Sequence, residues 1–157
     1  PKNISIGNNV RIDDFCIVNA YEGEIKIDDN THICSLCFLL GSTKIEIGKF
    51  CSISHGVKIY SKTDEYKKTV KKQIYKRVLI RNNVIVGSNS VILPGVKIED
   101  NCHLATGAII NGDSIVKKGS FVGSNSTIIQ GVTIGENSII GAGRVVKKNL
   151  PKRSFYK

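Results

Sequence analysis

A chain of 157 residues with 41% hydrophobic and 23% charged side chains has the balance of one soluble domain, residues 1–157. No apolar run approaches the ~20 residues of a membrane span and no signal-peptide pattern opens the chain, so a cytoplasmic protein is expected. The formal charge of +10 asks for an anionic partner, but 6% aromatics and no recognisable nucleic-acid motif turn that expectation away from nucleic acid and toward phosphorylated small molecules.

Aliphatic residues recur every sixth position almost from the start: Ile6, Ile12 and Val18, then Ile27, Ile33 and Leu39, then Ile47, Ile53 and Ile59. From Ile80 the array runs without a miss through Val86, Ile92, Ile98, Leu104, Ile110, Val116, Val122, Ile128, Ile134, Ile140 and Val146. Period six fits neither a helix nor a simple alternating strand. It is a repeat in which each hexad makes one short strand and a bend, and three hexads close a triangular coil with the aliphatics inside. Four residues after most core aliphatics comes something small, such as Ser90, Cys102, Ala108 or Ser126, preceded by an Asn or Gly able to take a positive φ in the bend. Grouped in threes, the hexads give about seven coils, beginning at residues 6, 27, 47, 80, 98, 116 and 134. The class is all-β, a parallel β-solenoid.

Every departure from 18-residue spacing falls between the third hexad of one coil and the first of the next, so all insertions leave one corner of the prism. The longest, residues 61–77, carries Lys67, Lys68, Lys71, Lys72, Lys76 and Arg77, with Tyr66, Val70 and Ile74 at helical spacing. Two readings stay open for it: a solvated basic helical turn, or a loop that reaches a neighbouring subunit and meets phosphate. Residues 152–157 read as a C-terminal tail.

Cys34 and Cys37 have the spacing of a zinc or redox pair. The repeat argues otherwise, because Cys16, Cys37, Cys51 and Cys102 occupy the small corner position and are expected to be buried as small hydrophobes. Side chains just before the core aliphatics point outward. One outward face then carries His32 and His103 with Ile85, Phe121 and Ile139, and the next carries Val91, Ile109 and Val145. These stripes are too apolar for solvent and call for a partner.

The segments IGNNVRIDDFCIV and IEIGKFCSISHGVKIYSKTDEY resemble the sugar and amino-sugar acetyltransferases of bacterial surface-polysaccharide clusters, including nucleotide-linked 4-amino-4,6-dideoxyglucose acyltransferases. From Val86 onward, LPGVKIEDNCHLATGAIINGD and FVGSNSTIIQGVTIGENSIIGAGRVVKKNLP resemble the sialic-acid and bacillosamine acetyltransferases. That resemblance to hexapeptide-repeat acyltransferases implies a left-handed coil, a homotrimer and acetyl-CoA as donor, with no metal expected. It implies acetyl transfer to the amino group of a UDP- or dTDP-linked sugar; O-acetylation of a sugar or polysaccharide is the alternative on the same scaffold.

Acyl transfer to an amine needs a proton acceptor, for which histidine is suited near neutral pH. His32, in THIC, matches a histidine of the first group and is the candidate base. His55 and Asp64 are further catalytic candidates, Asp64 as the holder of a sugar amine or the cap of a loop turn. His103 matches a histidine near acetyl-CoA in the bacillosamine enzymes, whose catalytic histidine falls where this chain has Pro94. Gly123, Ser124, Gly141 and Ala142 are small enough to admit pantetheine, and Lys147, Lys148 and Arg153 are candidates for the nucleotide phosphates. Two other classes fit poorly: the histidines lack the spacing of a γ-type carbonic anhydrase zinc site, and an ice-binding solenoid would show regular outward threonine rows.

Overall fold

The structure is a computed structural model that describes residues 3–65 and 72–157. Its strands form three parallel sheets of seven, eight and seven strands, plus a separate two-stranded sheet. The chain visits the three sheets in turn and so winds a three-faced parallel β-solenoid of about seven coils, the architecture of a left-handed β-helix. We call the faces A, B and C in the order the chain meets them.

Register follows the aliphatic array. Ile80 lies between Ile47 and Ile98 on face A, Val86 between Ile53 and Leu104 on face B, and Ile92 between Ile59 and Ile110 on face C. All nine are fully or almost fully buried and form a continuous interior column. Burying each such side chain contributes about 1.5–3 kcal/mol, which short two-residue strands could not supply by hydrogen bonding alone.

The corners show why the small position takes Ser or Cys. Ser120 and Ser126 donate their hydroxyls to the carbonyls of Gly135 and Gly141 in the next coil, both at 2.8 Å. Cys37, Cys51 and Cys102 aim their thiols in the same way at the carbonyls of Ser54, Arg81 and Lys117, at 3.1, 3.0 and 3.1 Å. These thiols therefore stand in for serines, and Cys34 is buried with them. Cys16 departs from the expectation: it is half-buried, because its coil is stacked on one side only. Burial pushes the Cys37 and Cys102 thiols up to about 11. Since the thiolate is the reactive form, brief iodoacetamide treatment of the native protein at pH 8 is expected to modify Cys16 alone, read by peptide mass. Labelling at Cys37 or Cys102 at a comparable rate would contradict this packing.

The insertion leaves the corner between faces C and A, as the spacing implied, but its described residues are not helical. Lys62–Glu65 pairs antiparallel with Lys72–Tyr75, in the register Lys62 with Tyr75 and Asp64 with Gln73. The helical spacing of Tyr66, Val70 and Ile74 misled because two local strands with their own alternation outweigh three apolar residues; Tyr66 and Val70 lie outside the described residues, as do Lys67, Lys68 and Lys71. The buried Ser61 closes the base of the hairpin: its carbonyl accepts the Lys76 N–H at 2.9 Å and its hydroxyl accepts the Thr43 N–H at 2.9 Å. Lys76 then runs over Gly95, which has no side chain to block it, and reaches both Asp113 carboxylate oxygens at 2.7 Å. Arg77 pairs with Glu46 on face A. Within residues 152–157, the strand Phe155–Tyr156 pairs with Ile139–Ile140 and adds a rung to face B. No helix among the described residues is long and apolar enough to cross a membrane.

Candidate active site

His32 stands on face B, held outward by the burial of its neighbour Ile33. Its Nε2 lies 2.8 Å from Asp13 Oδ2, and Arg11 Nε reaches the other oxygen of that carboxylate at 2.7 Å. Asp13 comes from the coil below, where Ile12 pairs with Ile33. The hydrogen bond from His32, followed by that from Arg11, holds the Asp13 carboxyl below the usual carboxylate range. An ionised carboxylate only accepts, so Nε2 is the ring nitrogen that donates, and the neutral form of the ring carries its lone pair on Nδ1. The two side chains are 34% and 18% exposed, enough for a substrate to reach the ring while the carboxylate is sheltered.

Cys34 Sγ lies 3.8 Å from both ring nitrogens. Burial, and then the charge of Asp13, push its thiol up, so it packs beside the ring as a neutral group and not as a thiolate. Asp13, His32 and Cys34 are the one cluster of potential metal ligands among the described residues, with donor atoms within 4.8 Å of one another. The thiol is held protonated and one ring nitrogen is already engaged by Asp13, so the arrangement has the chemistry to accept a proton at the other ring nitrogen.

The other candidate residues are dispersed. His103 is also on face B and meets Phe121 edge to face, with ring centroids 5.2 Å apart. Ser52 and Ile85 separate it from His32 along the face, a distance of about 14 Å at the spacing of adjacent strands. His55 is exposed in the corner between faces B and C, where its carbonyl accepts the Asn89 N–H. Ser124 and Ala142 share that corner in successive coils, the carbonyl of Ser124 accepting the Gly143 N–H. Gly123 is buried beside them, where an added Cβ would stand 2.6 Å from the Ala142 nitrogen, so coil stacking already requires a glycine there; Gly141 has Tyr156 O at 3.3 Å from the same position. Lys147 and Lys148 are exposed at the corner between faces C and A, and Arg153 is exposed at the corner between A and B. Within one chain the four small cofactor candidates gather at the corner between faces B and C, while Lys147, Lys148 and Arg153 stand at the other two corners.

Asp64 is on the hairpin, across the prism from His32. Strand alternation gives the hairpin two sides. Lys62, Gln73 and Tyr75 look onto a cleft of about 560 Å³ that is completed by Tyr21 and Tyr60, Glu65 and Ile74 look onto another, of about 610 Å³, beside Pro94 and Asp113, and Asp64 at the edge between them lines both. Asp13 is the partner of His32 that sequence reasoning missed. Its signal was its place in the hexads, directly after the core Ile12, one coil below the position of His32.

Two stretches match family models: residues 77–112 that of the bacterial transferase hexapeptide (six repeats), and residues 115–148 that of the hexapeptide repeat of succinyl-transferase. Both stretches therefore carry hexapeptide repeats. Across the chain, 126 residues are 39% identical to the dTDP-4-amino-4,6-dideoxy-D-glucose acyltransferase of Escherichia coli, an alignment covering 74% of this chain and 62% of that enzyme. The chain thus spans less than two thirds of the length of that relative. Among solved structures, the N-acyltransferase AntD from Bacillus cereus, in complex with dTDP and 3-hydroxybutyryl-CoA, matches with a TM-score of 0.51 and 26% identity over 97% of this chain and 66% of that one. LpxA from Acinetobacter baumannii matches with a TM-score of 0.64 at 16% identity, over 97% of this chain and 66% of that one, and so supports the fold alone.

Proposed function

We propose that this protein is an acyl-CoA-dependent N-acyltransferase, with acetyl-CoA as donor and a nucleotide-linked amino sugar as acceptor. The observation that carries the reading is the Asp13–His32 pair on an accessible face of a hexapeptide solenoid. The sugar amine attacks the thioester carbonyl and loses a proton to Nδ1 of His32, while Asp13 steadies the imidazolium that forms. Collapse of the tetrahedral intermediate expels the coenzyme A thiolate, which takes up the proton. The relatives support the two substrate classes: the Escherichia coli enzyme is named for a dTDP-amino sugar, and AntD was solved with dTDP and an acyl-CoA. Both kinds of substrate are cytoplasmic metabolites, which sets the compartment we propose.

The assembly we propose is a trimer. Ile85, Ile139 and Val145 are 43%, 45% and 45% exposed in the single chain, and large aliphatics in rows on neighbouring faces need covering. Light scattering should give about three times 17.2 kDa, and Phe121→Lys, which puts a charge among Ile85, His103 and Ile139, should dissociate it. A stable monomer at micromolar concentration would refute the assembly. The chemistry is tested by incubating the protein with acetyl-CoA and a panel of dTDP- and UDP-amino sugars, following free thiol and the mass of the sugar. Acylation only of amine-free sugars would favour O-transfer instead.

A further inference from the structure

The cleft on the coil side of the hairpin takes no part in the chemistry just described. Tyr75 and Tyr21 present their rings to it, 49% and 57% exposed, a large aromatic area to leave bare. Tyr21 holds its place with a φ of 48°, a conformation that costs an ordinary side chain free energy, in the corner between faces C and A where other coils use Gly95, Asp113 and Gly131. Facing these rings are Asp64 and Gln73, directly opposite each other on the two strands. Gln73 Oε1 already accepts the Tyr75 hydroxyl at 2.6 Å, so its free end is the amide NH₂, a donor. Asp64 offers only acceptors. Lys62 lies with Nζ 5.4 Å from the centre of the Tyr75 ring, at the rim of the same cleft.

A flat ring with a donor flanked by acceptors answers this set. The imide edge of uracil or thymine has an N3–H between two carbonyls: Asp64 would accept from N3–H, Gln73 would donate to a flanking carbonyl, and the base would stack on tyrosine, an interaction available to any base but here supplemented by edge recognition. Cytosine has a bare N3 acceptor, which Asp64 would repel. Lys62 stands where the ribose-linked phosphates would leave the cleft, and a volume of about 560 Å³ suits a nucleotide. We infer that the Tyr21–Tyr75 cleft binds the base of a pyrimidine-dione nucleotide, with Asp64 and Gln73 reading its imide edge. This rests on the reading of a nucleotide-linked acceptor and of a trimer, in which the His32 of a neighbouring subunit would serve the sugar because Asp64 lies across the prism from its own, and it gives Asp64 a specificity role in place of a catalytic one.

The test is calorimetric titration of the whole protein with dTDP, UDP, CDP and GDP, with coenzyme A as a control ligand. The inference requires dTDP and UDP to bind about tenfold or more tightly than CDP and GDP, because a mismatched polar edge leaves buried groups unpaired. Asp64→Asn exchanges an acceptor for a donor and should weaken dTDP about tenfold while strengthening CDP, with coenzyme A affinity unchanged. Tyr75→Phe should retain most of the dTDP affinity, and Tyr75→Ala should lose it. Equal affinity for all four nucleotides, no nucleotide binding, or an Asp64→Asn protein with unaltered selectivity would overturn the inference. Turnover of an amino sugar with unselective nucleotide binding sinks this assignment alone, and selective dTDP binding without turnover sinks the acyl transfer alone.

Discussion

His32→Ala is expected to lower kcat by about 10²–10⁴-fold while leaving the affinity for coenzyme A almost unchanged, the scale for loss of a positioned acid–base. Among the described residues the ring's polar partners are Asp13 and Cys34, and its coil is held by the buried Ile33, so the β-helix should survive the substitution, as circular dichroism would show. Asp13→Asn is the sharper probe, because an amide can donate to Nε2 and so favour the wrong tautomer; it should lower kcat about tenfold or more at unchanged KM for the donor. The pH dependence has a definite sign. The Asp13 carboxyl is held below its ordinary range in the folded protein, so the contact with His32 is fully present above about pH 4 and is lost as pH falls through the lowered folded value. Orientation of the imidazole by Asp13 should therefore persist throughout any practical assay range, and an acid limb of the wild-type rate that vanished in Asp13→Asn would contradict the assignment. Full activity in His32→Ala would refute the base outright.

Replacing residues 62–75 by a two-residue turn between Ser61 and Lys76 is expected to abolish turnover of the nucleotide sugar while leaving the solenoid folded. Ser61 and Lys76 already face each other with a 2.9 Å hydrogen bond at the hairpin base, so the shortcut needs little rearrangement. Coil stacking is untouched, since Ile47, Ile80 and Ile98 remain paired across the insertion. Melting temperature and coenzyme A affinity should thus stay near those of the parent, and wild-type turnover in the shortened protein would show that the hairpin takes no part in acceptor recognition.

The coil count, the phase of the interior column and the corner from which the insertion departs were legible because each rests on a strict period and on burial, which a one-residue slip would invert. His32 was legible by the same phase. Asp13 was not, because the hexad fixes which side chains leave the interior but not how far a corner residue bends toward the next coil. Of the two readings left open for the insertion, the helical one failed for a different reason: outside the repeat there is no interior column to enforce a period, and Lys62–Glu65 and Lys72–Tyr75 find their register only in each other. The thiols were placed in the right corners, but their equivalence to serine emerges only when the carbonyl one coil away is seen.

The even stacking of coils makes this molecule a ruler. His32 and His103 occupy the same column of face B, separated by Ser52 and Ile85, and every whole coil placed between them would lengthen that separation by about 4.8 Å without turning either side chain. Extra residues, as between Ile59 and Ile80, are looped out at the corner between faces C and A and leave the column in register. The distance between groups on such a scaffold is therefore quantised, and ligands of different length can be matched by adding or removing coils while each reactive group keeps its aim.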